Sequence, residues 1–174
     1  MITAPFFMWK RFAAAMVVTA SMQTPALLHG VTLTLVRSAT EPLYFSNPVL
    51  GLKGTIRPIP GSRFEIVAIV LGDLPVEADI RQFALVSTGG VLYEPIAAGG
   101  GPDLIFPIDS LPLGREMGQI LPSDALVQLK RTSATSVTLE ADAGATLAFV
   151  FQLPEREATR ALRLPDGSEL ALTR

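Results

Sequence analysis

Hydrophobic and polar residues alternate along most of the chain after residue 30, with a period of two. The segment Val31–Arg37, VTLTLVR, places large apolar side chains on one side and threonines on the other. In Arg63–Gly72, RFEIVAIVLG, Phe64, Ile66 and Ala68 share a face, and the second half is apolar on both faces. Alternation of this kind predicts strands, and the doubly apolar stretch predicts a strand inside a sheet.

Turn-forming residues divide the rest of the chain into short segments of the same kind. The 14 glycines and 14 prolines are spread throughout, which favours many short elements over long helices. We therefore predict an all-β fold, an antiparallel sandwich of about eight to ten short strands that forms a single domain over residues 27–174. The other predicted strands are Ile80–Ser87, Val91–Ile96, Leu104–Ile108, Ser136–Ala141, Thr146–Leu153, Thr159–Leu164 and Ser168–Thr173. Two further short strands could lie near Leu43–Phe45 and Gly54–Arg57, inside a loop rich in proline and glycine.

Three connections between these strands carry strong turn signals. Gly89-Gly90, Asp142–Gly144 and Pro165–Gly167 predict hairpin turns between the strands on either side. The segment Asp73–Asp79, DLPVEAD, is interpreted as a connection without a strand. The segment Leu121–Arg131 leaves two interpretations open, one helical turn after a serine cap or a strand from residue 126.

The densest group of charges lies in Ala145–Gly167, ATLAFVFQLPEREATRALRLPDG. Its proline and glutamates would suit a first helical turn, but a helix of one or two turns is marginal without packing. Leu162 and Leu164 alternate with Arg163, which favours a strand. We predict a charged crossing over Pro154–Ala158 at a corner of the sandwich, so that these charges lie in solvent.

The N-terminus has the order of a secretory signal. Lys10 and Arg11 precede an apolar run, Phe12–Ala20, which is about half the ~20 residues that a transmembrane helix needs. Small residues allow cleavage after Ala20 or Ala26. We predict that residues 1–26 hold a signal peptide and the start of the mature tail, and that no stable transmembrane span remains after cleavage.

Composition narrows the classes of function. Hydrophobic residues make up 49% of the 174 positions and charged residues 17%, with a net charge of −2. This charge gives no electrostatic basis for binding nucleic acid. The chain has no cysteine, which excludes disulfides, thiolate metal sites and a cysteine nucleophile. We predict no cofactor.

Few residues carry recognisable chemistry. His29 is the single histidine and precedes the first strand, so a histidine-based triad or metal cluster is not predicted. Asp73, Glu77 and Asp79 could offer oxygen ligands to Ca²⁺, but their spacing is not that of an EF-hand and Pro75 interrupts it. We interpret this stretch as a solvated loop.

Two carboxylate pairs and one glycine run remain. Asp103 with Asp109, and Glu140 with Asp142, could serve glycoside hydrolysis only if two carboxyls converged to about 5–10 Å. The run Gly99, Gly100 and Gly101 with Asp103 is predicted as a binding loop at one end of the sandwich. Lys130 and Arg131 are interpreted as charges that protect an edge strand from pairing.

The segments Arg63–Ile96 and Gly144–Thr173 share a rhythm of strand, short loop, aromatic residue and glycine turn. This rhythm resembles the immunoglobulin-like β-sandwich families of uncharacterised secreted bacterial proteins. The resemblance implies a fold and an envelope location, and it brings no catalytic residues. The chain departs from it by lacking an N-terminal cysteine and by having Gly72-Asp73 in place of an asparagine. The matching positions are Phe64, Phe83, Leu85, Gly90, Tyr93, Gly144, Phe149, Phe151, Pro154, Leu162 and Leu164.

Together these features predict an exported, periplasmic or secreted protein of the bacterial envelope that is not an enzyme. We expect a binding or structural accessory module that presents loops or an edge strand to another envelope protein. One alternative is a carrier of a small apolar ligand with an internal cavity. The other alternative is a carboxylate-dependent hydrolase.

Overall fold

Strands make up nearly all of the regular structure in the computed structural model, which describes residues 30–47, 52–102, 105–121 and 124–172. Fifteen strands lie in these ranges, so the predicted all-β class is confirmed. The number exceeds the prediction because β5 and β10 were not predicted, β11 was left open, and the predicted strand Val91–Ile96 is divided between β7 and β8. In chain order the strands are β1 Thr32–Ala39, β2 Leu43–Asn47, β3 Leu52–Ile56, β4 Ser62–Val70, β5 Val76–Asp79, β6 Ala84–Ser87, β7 Leu92–Tyr93, β8 Pro95–Gly99, β9 Ile105–Pro107, β10 Glu116–Ile120, β11 Leu126–Arg131, β12 Val137–Ala141, β13 Thr146–Pro154, β14 Thr159–Arg163 and β15 Glu169–Ala171.

These strands form three sheets and one separate hairpin. Sheet I has five strands in the order β1-β4-β13-β8-β9. Sheet II has the order β10-β11-β12-β5, and sheet III has the order β15-β14-β6-β7. Strands β2 and β3 pair only with each other within the described ranges. All of these strand pairs are antiparallel.

The centre of the molecule is the pair β4 and β13, which is buried on both faces. One face carries Val67 and Ile69 of β4 together with Phe149 and Phe151 of β13. It packs against the inward side chains of sheets II and III, and the rings of Phe83 and Phe149 stack with centroids 4.6 Å apart. Burial of each large apolar side chain contributes about 1.5–3 kcal/mol, so this shared core holds the three sheets together.

The opposite face of sheet I forms a second, smaller core. Phe64, Ile66 and Val150 belong to it, and Leu43 and Ile56 of the β2–β3 hairpin pack against them. Among the described residues, sheet I is therefore covered on both faces, and the packed sheets are consistent with the predicted all-β sandwich. The reason for this cover is that the second half of β4 and most of β13 are apolar on both faces.

Two of the three predicted hairpin turns are confirmed. Strands β6 and β7 pair around Gly90, and β14 and β15 pair around Gly167; both glycines have φ 84°. The third prediction is wrong, because β12 and β13 belong to different sheets. The turn at Asp142–Gly144 instead carries the chain from sheet II to sheet I, and the Gly144 amide donates a hydrogen bond to the Gly72 carbonyl at 2.9 Å.

The stretch around residue 80 differs from the prediction. Ile80–Gln82 is a 3-10 turn and not part of a strand, because the Asp79 carboxylate accepts a hydrogen bond from the Arg81 amide and caps the turn. Val76–Asp79, interpreted as a connection, is strand β5. The sequence also missed strand β10, Glu116–Ile120.

Strand β11 settles the open interpretation of Leu121–Arg131 in favour of a strand. It lies inside sheet II, so Lys130 and Arg131 do not guard an edge, and that interpretation was wrong. Lys130 forms an ion pair with Glu116 on the neighbouring strand. The Arg131 guanidinium donates hydrogen bonds to the carbonyls of Asp109 at 2.9 Å and Ala134 at 3.2 Å, which ties two connections to the sheet.

The charged segment near the C-terminus follows the prediction. Strand β13 ends at Pro154, Glu155 and Arg156 are exposed in a turn, and the chain then crosses from sheet I to sheet III at Thr159. The predicted signal segment, His29 and Asp103 lie outside the described residues. In the part of the chain that is described, no helix is both long enough and apolar enough to span a membrane.

Candidate functional site

Strand β5 lies at one end of sheet II. On one side it pairs with β12, with Val76 opposite Ala141 and Ala78 opposite Leu139. On its other side no strand pairs with it within residues 30–47, 52–102, 105–121 and 124–172. Half of the backbone donors and acceptors of an antiparallel edge strand point away from its neighbour. Among these residues those of β5 have no strand to pair with, so the edge could accept an added strand.

The outer face of sheet II is organised in rows that cross the strands. The row through Glu77 continues with Glu140, Gln128 and Gly118. The next row begins at Asp79 and continues with Thr138, Lys130 and Glu116. The inward residues between these rows are apolar and belong to the shared core. The outer face therefore carries the polar side chains of the sheet, and four of them are acidic.

Two like charges face each other beside the free edge. Glu77 and Glu140 are exposed and directly opposite in register. No ion pair reaches either of them from the described part of the chain. Like charges at such positions are destabilising, by about 0.2–1 kcal/mol for an exposed pair. A positive charge supplied from outside would remove this repulsion.

The lysine of this face is engaged elsewhere. The Nζ of Lys130 lies 2.7 Å from Oε1 of Glu116 on β10, away from the free edge. The hydrogen bond from Lys130 and then its charge lower the pKa of Glu116. The hydrogen bond to Glu116 and then its charge raise the pKa of Lys130. The contact places the lysine charge closest to Glu116, and Glu140 interacts with the same charge at longer range.

A groove of about 280 Å³ runs from the free edge onto the outer face. It combines an acidic rim with apolar walls, and Leu126 of its lining is 38% exposed. The carboxylate of Asp142 accepts a hydrogen bond from the Leu126 amide at 2.8 Å, which fixes this end of the sheet. The lining residues are Pro75, Val76, Glu77, Leu126, Glu140, Ala141 and Asp142.

A second group of charges is buried near the N-terminal end of β4, in sheet I. Glu65 is fully buried; its carboxylate lies 3.3 Å from the Arg63 guanidinium and accepts a hydrogen bond from the Ser38 hydroxyl at 2.7 Å. Arg63 also donates to the Glu157 carbonyl at 2.9 Å, while its Nη1 has no hydrogen-bond partner. Burial, and then the nearby Glu157 carboxylate, raise the pKa of Tyr93 beside this group. These contacts join β1, β4 and the crossing before β14, which is a structural role.

The predicted binding loop is placed differently from the expectation. Gly99 is the last residue of β8 and pairs with Ala148 and Ile105. Gly100 and Gly101 are buried, where the sequence suggested a flexible solvated loop. Asp103 lies outside the described residues. The binding role of Gly99, Gly100, Gly101 and Asp103 stays a prediction.

The candidate cation ligands are separated by the fold. Asp73 is exposed in a connection, Glu77 faces Glu140, and Asp79 accepts hydrogen bonds from Arg81 and from the Ser136 hydroxyl. Among the residues that the structure describes, no three histidine, cysteine or acidic side chains are grouped so that they could hold a metal ion.

Sequence reasoning missed both the free edge and the buried ion pair. The segment Val76–Asp79 reads Val-Glu-Ala-Asp, an alternation that could have indicated a strand. In β4, Arg63 and Glu65 alternate with apolar residues on a strand that is otherwise apolar, which could have indicated a buried pair.

A scan against protein-family models, a search of curated proteins and a search of solved structures found no match to the chain. The resemblance to immunoglobulin-like families therefore stays a prediction.

Proposed function

We propose that this protein is an exported, non-enzymatic accessory module of the bacterial envelope, which binds an extended segment of another envelope protein by strand addition at β5. The observation that carries the proposal is the free edge of β5, with a groove beside it. Main-chain hydrogen bonds to such an edge provide affinity, and pockets for alternate side chains provide specificity.

The other sheet edges fit this role less well. Strand β1 is the longest edge, but its pairing with β4 has a register shift between Leu33 and Leu35. A bulge of this kind twists an edge away from a partner strand. Strand β9 contains Pro107, which has no amide proton to donate, and β7 and β15 have only two and three residues. Strand β5 has neither a register shift nor a proline. Strand β10, the other edge of sheet II, is equally regular, but the groove lies beside β5 and not beside β10.

The short length of β5 limits the expected affinity for a bound segment. A four-residue edge offers few outward hydrogen bonds, each of which contributes about 0.5–1.5 kcal/mol net. The groove must therefore contribute side-chain contacts if the complex is to be specific. We expect weak, reversible binding, in keeping with an accessory module.

The two alternatives gain less support. The described pockets, of about 280 and 410 Å³, are open to solvent, and their linings lie on the outer face of sheet II and in the β1–β2 connection. A carrier would need an enclosed apolar cavity. For the hydrolase, Glu77 and Glu140 do face each other, but on an exposed and open sheet face without an enclosed site that would hold a substrate.

The test combines site-specific photo-crosslinking with hydrogen exchange. A photoreactive residue replaces Glu77, and the matched control replaces the exposed Thr135, which lies in a loop away from the groove. The segment crosslinked in the envelope is then synthesised and added to the protein. We expect slower exchange of the amides in Val76–Asp79 and unchanged exchange in β1. Equal crosslinking at both positions, or protection only outside β5, would overturn strand addition at this edge.

Export is tested separately on the N-terminus of the protein recovered from the envelope. We expect mass spectrometry to find a new N-terminus after Ala20 or Ala26, because small residues precede both bonds. An intact N-terminal segment, or recovery of the protein only from the cytoplasm, would contradict the exported location.

A further inference from the structure

We infer that the segment bound at β5 alternates basic and apolar side chains, with the basic ones beside Asp79 and Glu77 and an apolar one beside Pro75. This inference rests on the proposed function, because it needs a strand added to that edge. The free edge, the groove and the charges together would select a partner of this chemistry.

The period of a strand fixes which side chains of the partner meet which residues of β5. An added strand lies about 4.8 Å from β5, and its side chains point alternately to the two faces of sheet II. Those on the outer face extend the rows that contain Asp79, Glu77 and Pro75. Those on the inner face extend the rows of Ala78 and Val76. Five consecutive residues of the partner therefore occupy five defined environments.

The outer positions beside Asp79 and Glu77 favour positive charge. A cation beside Glu77 would approach a carboxylate that already faces Glu140 across the sheet. It would relieve the repulsion between the two glutamates as well as form a pair of its own. Asp79 is half-buried and holds two hydrogen bonds, so it attracts a second cation more weakly than Glu77 does.

The third outer position favours an apolar side chain. The groove beside Pro75 includes Leu126, which is 38% exposed. Leu74, which precedes Pro75, is 50% exposed and adds apolar surface at this end of the edge. A leucine-sized side chain here would bury surface that is now in contact with water.

The inner positions also favour apolar side chains. Val76 is buried and Ala78 is half-buried, and both contact the shared core of the three sheets. An added strand would place its own inward side chains at the margin of that core, where a charge would lose its hydration without gaining a partner. Read from Asp79 towards Pro75, the partner is therefore basic, apolar, basic, apolar, apolar.

The test measures peptide binding to the full chain by fluorescence anisotropy. The first peptide has the core Lys-Val-Lys-Val-Leu between uncharged flanks, and the second has Gln in place of both lysines. A third peptide keeps the lysines but is N-methylated at alternate residues, which removes its main-chain donors on one edge. Each is prepared in both chain directions, because β5 can accept a parallel or an antiparallel strand.

We expect the lysine peptide to bind about tenfold more tightly than the glutamine peptide at low salt, the effect of two exposed ion pairs. Added salt should reduce this preference. N-methylation should abolish binding. The variant Glu77→Gln/Glu140→Gln should reduce the preference to about twofold. Glu94→Gln, an exposed acidic residue outside sheet II, serves as the matched control and should leave it unchanged.

The outcomes separate this inference from the proposed function. Equal, methylation-sensitive binding of the lysine and glutamine peptides overturns the basic partner and leaves strand addition supported. Binding of the lysine peptide that survives N-methylation overturns strand addition, and the inference with it. Absence of binding by every peptide, with hydrogen exchange showing β5 folded, also overturns both.

Discussion

Glu65 and Glu77 lie on successive strands, β4 and β5, and have opposite surroundings. Glu65 is fully buried on β4 of sheet I; its carboxylate accepts a hydrogen bond from the Ser38 hydroxyl and lies 3.3 Å from the Arg63 guanidinium. Glu77 is exposed at the free edge of sheet II and faces a second glutamate. The buried charge is balanced inside the fold, whereas the exposed charge is balanced by nothing in the described chain. The comparison separates a carboxylate that maintains the structure from one that is available for recognition.

The largest expected effect comes from breaking the buried pair. Glu65→Gln keeps the shape of the side chain but leaves the Arg63 guanidinium nine-tenths buried without a counter-charge. Removing one partner of a buried pair costs about 3–5 kcal/mol. We expect a loss of this size in the free energy of unfolding, measured by urea denaturation. The matched change Glu77→Gln at the exposed edge should stay within about 0.5 kcal/mol of the parent.

A double substitution tests whether the loss of stability in Glu65→Gln comes from the unpaired Arg63 charge that this variant leaves behind. Arg63→Met/Glu65→Leu replaces both charges by apolar groups of similar length, and such replacements are often neutral. We expect the double variant to be more stable than Glu65→Gln alone. If the loss of stability in the double variant equals the sum of the losses in Arg63→Met and in Glu65→Leu, the two charges act independently and the buried pair does not explain the cost.

The second prediction concerns the exposed pair and has the opposite sign. Glu77→Lys replaces a like-charge contact with Glu140 by an attractive one, and we expect stability to rise by about 0.2–1 kcal/mol at low salt. Urea denaturation at two salt concentrations measures the change, because screening should reduce it. Glu94→Lys, with the same change of net charge, is the control. A loss of stability at position 77 would mean that Glu77 is stabilised by its surroundings, contrary to the comparison.

The interior strands β4 and β13 could be predicted from the sequence, whereas the edge strand β5 could not. The predicted faces of β4 and β13 are confirmed: Phe64, Ile66 and Ala68 share one core, and Phe149 and Phe151 share the other. Because these parts of β4 and β13 are buried on both faces, their sequences are continuously apolar and can be recognised as interior strands. The four residues of β5 are too few to give a clear pattern, and Pro75 before them suggested a connection.

The candidate site depends on pairing between distant segments, which local patterns do not specify. Glu77 meets Glu140 because β5 joins β12, and the groove needs Leu126 of β11 as well. The sequence identified Glu77, Glu140 and Asp142 as carboxylates of interest, but not their common face. In the same way, the turn at Asp142–Gly144 resembles a hairpin locally, although it connects two different sheets.

The smallest expected effect concerns the exposed ion pair between Glu116 and Lys130 in sheet II. This pair adds an exposed but paired carboxylate to the comparison of Glu65 with Glu77. In the folded state, the hydrogen bond from Lys130 and then its charge lower the pKa of Glu116 below its ordinary value of 4.5. A carboxyl with a depressed folded pKa contributes stability that is present above its unfolded pKa and is lost as the pH falls through the folded pKa. Because the pair is exposed, this contribution is small and screened by salt.

We therefore expect the stability difference between the parent and Glu116→Gln to be constant near neutral pH and to shrink as the pH falls from about 5 to 3. Urea denaturation at each pH measures it. In a Lys130→Met background the same comparison should show little dependence on pH, because the group that lowers the Glu116 pKa is gone. A difference that persists unchanged to pH 3 would show that the charge of Lys130 does not stabilise the ionised Glu116. Lys130 would then be available to Glu140, and the preference of the β5 edge for a basic partner would rest on Glu77 and Asp79 alone.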